Sequence, residues 1–432
     1  MLILLALANC KPAKKAGGNT STQPGKTRPN DRPKHEPMDT VRWSEPSKTK
    51  PPIGSPGKPN TGDDGGDFSS QKFRVALLLP FLTHQAATAE NGVPEKSRLA
   101  LQFYAGAKIA LEQLSTEEGM NLTVDVLDTK INDADFEALL TDPKLDLTQV
   151  FIGPIRSTHV SALAKRTKLN RKILVSPESP NPDLTNGNPN FIQLNPSLRA
   201  HCEAIVKFVL KKHTPDAVVL VCKEKERDRL GFLQNANTAG GRFREIVVPD
   251  ATESFSKTDL APYFKPGKTT VFVMPSWASQ DFVFSFFRKV KAQQGRARVE
   301  IFGMPQWTGF ENIEAEYFQS LNVHISAASW VDYAAPEVKD FQQKFYEAYG
   351  TIPDDDAFNG YDATLFTGQM LKKYGLDFPA KIGRTQFKGL HSDFRVLPVS
   401  ATADARPERA DYLENKFVHI LKFQDFKFSP AE

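Results

Sequence analysis

The sequence predicts an α/β protein of two lobes, each a doubly wound parallel sheet with helices on both faces. Three observations support this fold class. Four apolar runs of strand length alternate with helical patterns between Phe73 and Val175. The same alternation restarts at Leu198 and continues to Phe318. A chain of 432 residues also exceeds what one ordinary hydrophobic core accommodates, which favours two or three domains.

The first ten residues are an apolar run that ends in Leu7-Ala8-Asn9-Cys10. This ending resembles the lipobox of bacterial lipoproteins, in which the cysteine is lipidated and becomes the mature N-terminus. The resemblance implies that residues 1–9 are a signal peptide and that Cys10 anchors the protein to a membrane from outside the cytoplasm. No positive charge precedes Leu2, which departs from a secretory signal. An ordinary hydrophobic start, or a signal cut elsewhere, is the alternative.

Residues 11–72 contain 10 prolines, many Gly, Ser, Thr and Asn, and scarcely any aliphatic side chains. Such a segment cannot bury enough apolar surface to offset chain entropy, so we expect a disordered, partly extended linker. It holds 12 Lys or Arg and 7 Asp or Glu, an excess of 5 that leaves −1 for the rest of a chain whose net charge is +4. The folded part therefore lacks the basic excess of a nucleic-acid-binding face.

The first lobe begins at Phe73, where the composition changes sharply. The run Val150 to Ile152 stops at Gly153-Pro154 and leads into a polar loop, as expected of a buried parallel strand that ends at an open cleft. Ser157 and Thr158 are suitable N-caps for the next helix. The predicted strands of this lobe are 73–81, 122–127, 149–152 and 172–175, and the predicted helices are 100–114, 136–140 and 160–169.

A second lobe of the same kind follows a short crossing strand at 191–194. Its predicted strands are 217–222, 245–248, 270–274 and 299–302, and its predicted helices are 198–212, 228–237, 280–293 and 310–318. Another apolar crossing lies at 323–327. Two amphipathic helices follow without a strand between them, at 336–349 and 357–374, and the tail returns to strand patterns at 394–399 and 416–423.

Eight short motifs occur in order along residues 73–432. They are Val75-Ala76-Leu77-Leu78-Leu79-Pro80-Phe81, Phe103-Tyr104-Ala105-Gly106-Ala107, Asp128-Thr129, Ile152-Gly153-Pro154 with Ser157, Ser176-Pro177 with Ser179, Asn195-Pro196-Ser197, Tyr349 with Pro353, and Asn359-Gly360-Tyr361-Asp362-Ala363. No single motif is specific, but the ordered set resembles the type I periplasmic binding protein superfamily, the fold of branched-chain amino acid receptors. Within it, Gly303-Met304-Pro305-Gln306-Trp307 and the lipobox look most like envelope lipoproteins.

The resemblance implies that the chain crosses between the lobes three times and that a small ligand is trapped when the lobes close. By analogy, lobe one consists of 73–190 and 331–375, and lobe two consists of 191–330 and 376–432. The amino acid receptors of this fold use a compact run of Ser, Ala and Thr around the third and fourth strands. Arg156 and Glu178 stand in the equivalent stretches here, which puts an amino acid ligand in doubt.

Candidate ligand-binding residues are those that follow strands and therefore face the predicted cleft. Arg156 has the geometry to hold a carboxylate with two hydrogen bonds, and Ser157 adds a hydroxyl at a helix start. A solvated arginine, a simple N-cap and tryptophans that only seal the seam between the lobes are the structural alternatives. The full candidate set is Arg156, Ser157, Thr158, Glu178, Ser179, Ser276, Trp277, Gln306 and Trp307.

Catalytic and metal-binding motifs are absent from the sequence. No His-Glu-x-x-His, no pair of histidines three or four residues apart and no Gly-x-Ser-x-Gly occurs, and nothing marks two carboxylates as a catalytic pair. We therefore expect neither an enzyme nor a cofactor. Cys202 and Cys222 lie near the same predicted end of the second sheet, where they form either a disulfide or two independent buried thiols.

Two functions follow from this reading. The first is a non-catalytic envelope lipoprotein of the periplasm that closes its lobes on a small polar solute, in the manner of a transporter receptor. The alternative is an envelope adaptor, similar to lipoproteins that activate cell-wall synthases, whose vestigial cleft docks a protein partner. The long linker slightly favours the adaptor because it gives reach, whereas the polar residues spaced along the cleft slightly favour the receptor.

Overall fold

The computed structural model describes residues 40–42, 65–89, 92–251, 255–311, 313–400 and 407–431. Cys10 and most of the predicted linker lie outside these residues. Within the predicted linker, Thr40–Arg42 forms a short strand, and Gly66 and Phe68 donate backbone hydrogen bonds to the carbonyl oxygens of Lys373 and Lys372. Lobe one therefore includes described residues that precede Phe73.

Lobe one is built on an eight-stranded sheet with the order β1-β3-β2-β4-β5-β6-β13-β12. Its strands are β1 Thr40–Arg42, β2 Lys72–Leu79, β3 Asn121–Asp128, β4 Val150–Ile152, β5 Ile173–Ser176, β6 Phe191–Gln193, β12 Val396–Val399 and β13 Tyr412–Asn415. The six central strands, from β3 to β13, pair in parallel, and β1 and β12 pair antiparallel at the two edges.

The continuous apolar run of β2 follows from burial on both faces of this sheet. Val75, Leu77 and Leu79 pack in one hydrophobic cluster, and Ala76 and Leu78 pack in the cluster on the opposite face. Helices cover both faces. They are α1 Arg98–Thr116, α2 Asp133–Leu140, α3 Lys144–Leu147, α4 Ser157–Asn170, α9 Pro336–Tyr349, α10 Asp355–Tyr374 and α11 Phe378–Lys381, numbered along the whole chain.

Lobe two is built on a seven-stranded sheet with the order β15-β14-β11-β10-β9-β7-β8. Its strands are β7 Val218–Lys223, β8 Arg244–Val248, β9 Thr269–Val273, β10 Arg298–Gly303, β11 Val323–Ala327, β14 His419–Gln424 and β15 Lys427–Pro430. Its helices are α5 Leu198–Val209, α6 Arg227–Asn235, α7 Gln280–Gln293 and α8 Ala315–Ser320. The predicted fold class is confirmed. Among the described residues, no helix has both the length and the apolar character that crossing a bilayer requires.

The chain passes between the lobes three times, at 194–197, 328–331 and 416–418. Two predicted boundaries need correction. The strand at 191–193 belongs to the sheet of lobe one, and the tail does not return to lobe two at 376, because β12 and β13 extend the sheet of lobe one before β14 joins lobe two. The sequence analysis missed β13 because Glu414 and Asn415, which are polar yet fully buried, interrupt its apolar pattern.

Two glycines let α1 and α10 pack with their backbones in contact. A Cβ atom at Gly106 would overlap the carbonyl oxygen of Ala357, and a Cβ atom at Gly360 would overlap the carbonyl oxygen of Phe103. Both glycines belong to motifs that carry the resemblance, Phe103 to Ala107 and Asn359 to Ala363. The two motifs are therefore the two sides of one helix–helix contact.

We predict that Gly106→Ala lowers the free energy of unfolding by about 1–3 kcal/mol, because the added methyl group forces the two helices apart. Gly231→Ala is the matched control: nothing lies within 4 Å of a Cβ placed there, in α6. This control raises stability by about 0.5–1 kcal/mol, since alanine favours a helix over glycine. Urea unfolding measures both, and equal effects of the two substitutions would contradict the contact.

Candidate functional site

The carboxyl edges of the two sheets face each other across the crossings. The first crossing leaves the carboxyl end of β6, and the second leaves the carboxyl end of β11. Because neighbouring strands in each sheet are parallel, loops that follow β2, β4 and β5 in lobe one lie at the same edge as β6. Loops after β7, β9 and β10 share the edge of β11 in the same way. These edges are where open α/β sheets bind ligands.

The structure brings together two of the predicted residues at the rim of lobe one. Ser157, the first residue of α4, has its hydroxyl oxygen 3.1 Å from that of Ser179, in the loop after β5. Arg156 is exposed and its guanidinium lies 3.8 Å from a carboxylate oxygen of Asp133, to which the hydroxyl of Thr158 also donates a hydrogen bond. An exposed ion pair of this kind holds little energy, so the Arg156 side chain can exchange partners.

Glu178 lies beside a cavity of about 200 Å³ at the base of the two lobes. We call it the hinge cavity, because both the first and the second crossing contribute to its wall. Its lining includes Glu178, Asn195, Ser329, Asp356, Asn359 and His391.

Hydrogen bonds fix Glu178 at this cavity. The side-chain amide of Asn359 donates to Oε1 of Glu178, and Nδ2 of Asn195 donates to its backbone carbonyl at 2.7 Å. The loop after β5, the first crossing and the start of α10 are therefore joined at one carboxylate.

The pKa values of two carboxyl groups at the hinge cavity, Glu178 and Asp356, are raised. Burial, together with the nearby Asp356, raises the pKa of Glu178 to about 7. Burial and the neighbours Asp354 and Asp355 raise the pKa of Asp356 to about 6. Burial also lowers the pKa of His391 to about 4, so this imidazole is neutral at pH 7.

Sequence reasoning missed the residues that hold the hinge together. Asp362 of α10 is fully buried and accepts backbone hydrogen bonds of 2.8–2.9 Å from Leu390, His391 and Ser392. The carbonyl oxygen of His391 in turn accepts a hydrogen bond of 2.8 Å from the backbone of Trp330, in the second crossing. The motif around Asp362 was visible in the sequence, but nothing in it indicated which loop the carboxylate would hold.

Two buried polar residues of β13 tie the first crossing to the third. Oε1 of Glu414 accepts a hydrogen bond of 2.8 Å from the backbone of Ser197, and Oε2 accepts one of 2.6 Å from Nζ of Lys416. Nδ2 of Asn415 donates to the carbonyl oxygen of Leu194 at 3.1 Å. All three crossings are thus hydrogen-bonded to lobe one.

At the rim of lobe two, one hydrogen-bonded network joins three loops. The hydroxyl of Ser276 donates to Oε2 of the buried Glu226, whose Oε1 accepts a hydrogen bond of 2.6 Å from Arg229. The guanidinium carbon of Arg229 lies 3.6 Å from the ring centre of Trp277. The Nε1 of Trp307 donates to the carbonyl oxygen of Ser276 at 2.8 Å.

This network corrects the prediction for two residues. Trp307 is completely buried, because Gly303 has no side chain and the indole ring folds into the space where a Cβ atom would lie. Ser276 is also completely buried, with its hydroxyl committed to Glu226. Neither side chain reaches the cleft. Of the four predicted residues in lobe two, Trp277 is half-buried and Gln306 is exposed, so these two remain candidates.

The cysteines and the potential metal ligands of the described residues remain to be placed. Cys202 and Cys222 are free thiols in the core of lobe two, and burial raises the pKa of each to about 12. The structure therefore has two independent thiols at these positions and no disulfide between them. In the part of the chain that the structure describes, no three His, Cys, Asp or Glu side chains are grouped as metal ligands.

We predict that Glu178→Gln changes the pH dependence of stability. The pKa of Glu178 rises from an ordinary 4.5 to about 7 on folding, so the folded state binds this proton more tightly. Its stabilising contribution is complete below pH 4.5 and is lost as the pH rises through 7. The parent protein should therefore lose roughly 3 kcal/mol relative to Glu178→Gln between pH 4.5 and 8.

Urea unfolding across this pH range measures the difference. Glu137→Gln, at an exposed carboxylate of α2, is the control and should follow the parent. Parallel pH profiles for the parent and Glu178→Gln would show that Glu178 ionises normally.

Comparison with known proteins agrees with this architecture. A model of the periplasmic binding protein family matches residues 97–410. A protein of Rhodospirillum rubrum assigned to branched-chain amino acid ABC transport superimposes with a TM-score of 0.59, at 14% identity over 83% of this chain and 100% of the other. An ABC transporter substrate-binding protein of Desulfitobacterium hafniense in complex with Leu gives a TM-score of 0.52, at 16% identity over 84% and 100% of the two chains.

A periplasmic ligand-binding protein of a branched-chain amino acid ABC transporter from Burkholderia xenovorans gives a TM-score of 0.54, at 13% identity over 83% of this chain and 94% of the other. At such identities the likeness shows a shared fold. Comparison with curated proteins finds no match. Because the family model covers most of the sequence, the chain belongs to the periplasmic binding protein family, and its two lobes have the type I fold of that family.

Proposed function

We propose that the protein is a non-catalytic solute receptor of the cell envelope, whose lobes close on a small polar solute and present it to a membrane transporter. One observation carries this proposal: two facing sheet edges, each with polar loops, meet at a cavity beside the first and second crossings. Family membership supports it, as does the bound Leu of the D. hafniense protein.

The size of the hinge cavity supports closure as part of the proposal. At about 200 Å³ it is smaller than the roughly 300–1,000 Å³ of typical small-molecule pockets. Described residues on its wall come from lobe one and the crossings. The rim of lobe two, with Trp277 and Gln306, would complete the pocket on closure.

The proposal includes a lipid anchor at Cys10, in a periplasmic protein tethered to a membrane of the envelope. It rests on the apolar run that ends in Leu7-Ala8-Asn9-Cys10, which lies outside the described residues. Residues 11–39 would then span the distance between the anchor and β1, the first strand of lobe one in the chain. The length of the linker favours the alternative of an envelope adaptor that docks a protein, and no structural feature of the described residues adds to it.

Native mass spectrometry of the full chain tests the receptor function. The protein is purified gently from its own envelope, and a second sample is denatured and refolded. We expect a small molecule that is lost on refolding and regained from a metabolite extract. No bound molecule in either sample, and no thermal shift with the extract, would overturn the receptor and direct the search to cross-linked envelope proteins.

A further inference from the structure

Lobe two holds a cavity of its own, away from the cleft. It has a volume of about 470 Å³ and is lined by residues from the end of α5 and from β10, β11, β14 and β15. Two of them, Glu300 and His324, stand near the starts of β10 and β11, whereas the second crossing leaves the carboxyl end of β11. Because β10 and β11 are parallel, this cavity, which we call the basal cavity, lies at the sheet edge opposite the cleft.

Strand pairing sets polar side chains beside one another in the basal cavity. His324 of β11 lies opposite Phe302 of β10 on one side and Lys422 of β14 on the other, and Lys422 lies opposite Ser429 of β15. Side chains of directly paired residues point to the same face of a sheet. The imidazole of His324 stacks on the ring of Phe302, with the ring centres 4.5 Å apart. The apolar core of lobe two therefore gives way here to a row of polar groups.

Two hydrogen-bond acceptors in this cavity lack a donor among the described residues. His324 is only 5% exposed, and its Nδ1 donates a hydrogen bond of 2.9 Å to the carbonyl oxygen of Asn322. Burial lowers the pKa of this imidazole to about 4, so the ring is neutral at pH 7 and Nε2 is an acceptor. Oε2 of Glu300 lies 3.1 Å from Nε2 of His213, which leaves Oε1 as the second acceptor. Leaving buried acceptors unpaired is costly, so the geometry calls for a donor in the cavity.

Three lysines line the same wall. They are Lys212 at the end of α5, Lys422 of β14 and Lys427 of β15. In the part of the chain that the structure describes, the ammonium groups of Lys422 and Lys427 have neither a hydrogen bond nor an ion pair. The carboxylates on this wall are Glu300 and Asp425, which lies in the exposed turn between β14 and β15. Positive charges outnumber negative ones, so the cavity attracts an anionic group.

These groups together select a molecule with two kinds of polar group. A plain anion such as acetate brings only acceptors, which Glu300 and Nε2 of His324 repel. An ammonium compound meets Lys212 and Lys422, whose charges lower the pKa of His324. Hydroxyl groups donate to both acceptors without charge, and an anionic group on the same molecule pairs with the lysines. The cavity volume of about 470 Å³ lies within the roughly 300–1,000 Å³ of typical small-molecule sites.

We infer that the basal cavity is a second binding site, which takes a hydroxylated anion the size of a monosaccharide, either a sugar acid or a sugar phosphate. Nε2 of His324 and Oε1 of Glu300 accept hydrogen bonds from its hydroxyl groups, and Lys422 and Lys427 bind its anionic group. The site lies at the opposite sheet edge from the cleft, so the inference does not depend on the proposed receptor function.

Calorimetry of the full chain at pH 7 tests the inference with five small probes. D-Glucuronate and D-glucose 6-phosphate each carry hydroxyl groups and an anionic group, a carboxylate in the first and a phosphate in the second. D-Glucose lacks the charge, propanoate lacks the hydroxyl groups, and glycine has an ammonium group in their place. We expect glucuronate or glucose 6-phosphate to bind, and the tighter of the two identifies the anionic group. The other three probes should bind at least about tenfold more weakly.

Substitutions place the bound anion in the basal cavity. Lys422→Gln and Lys427→Gln should each weaken its binding at least about tenfold, because each removes a charge-assisted hydrogen bond. His324→Phe should also weaken binding, since it keeps an aromatic ring on Phe302 and removes the acceptor. Lys108→Gln, at an exposed lysine of α1 in lobe one, is the matched control and should bind as the parent does.

Three results would overturn the inference. They are no binding of either sugar anion, binding of glucose, propanoate or glycine that equals it, and unchanged affinity in the folded Lys422→Gln and Lys427→Gln proteins. The two lysine substitutions keep the test decisive if His324→Phe does not fold. A sugar anion that binds the parent and the lysine variants equally lies elsewhere in the molecule, which also contradicts the assignment.

Discussion

The backbone contact between α1 and α10 determines where α10 lies in lobe one. Gly106 and Gly360 allow the two helices to approach until the carbonyl groups of Ala357 and Phe103 fill the space of side chains. Helix α10 follows the second crossing, so it belongs to the part of the chain that returns from lobe two to lobe one. Its close packing fixes the start of the helix, with Asp356 and Asn359, beside the cavity where Glu178 lies. The geometry of the hinge is therefore set by helix packing.

Polar groups buried at the hinge give this region its specificity. Asp362, Glu414 and Asn415 are almost completely buried, and each is satisfied by backbone donors or acceptors from another segment. Burying such groups costs solvation energy, which hydrogen bonds offset only when their geometry is good. The network therefore favours one arrangement of the three crossings over others. A fixed hinge is what two lobes need if they are to close along one path.

The sequence predicted the elements well and the site less well, for physical reasons. Apolar runs such as Phe73 to Phe81 identify parallel strands because both faces are buried, and the ordered motifs identified the superfamily. β13 was missed because its buried polar residues have partners far away in the chain, which no local pattern reveals. Position after a strand selected Ser157 and Ser179, whose hydroxyl oxygens lie 3.1 Å apart. It failed for Trp307, whose ring turned inward onto Gly303.

The proposed function requires that the lobes close on a solute. The most direct test is the distance between spin labels at His84→Cys, exposed after β2, and Thr308→Cys, exposed after β10, in a Cys10→Ser background. The buried thiols Cys202 and Cys222 should not react. We expect a shorter, narrower distance distribution when a metabolite extract from the native envelope is added. An unchanged distribution, with the extract binding or not, would contradict closure.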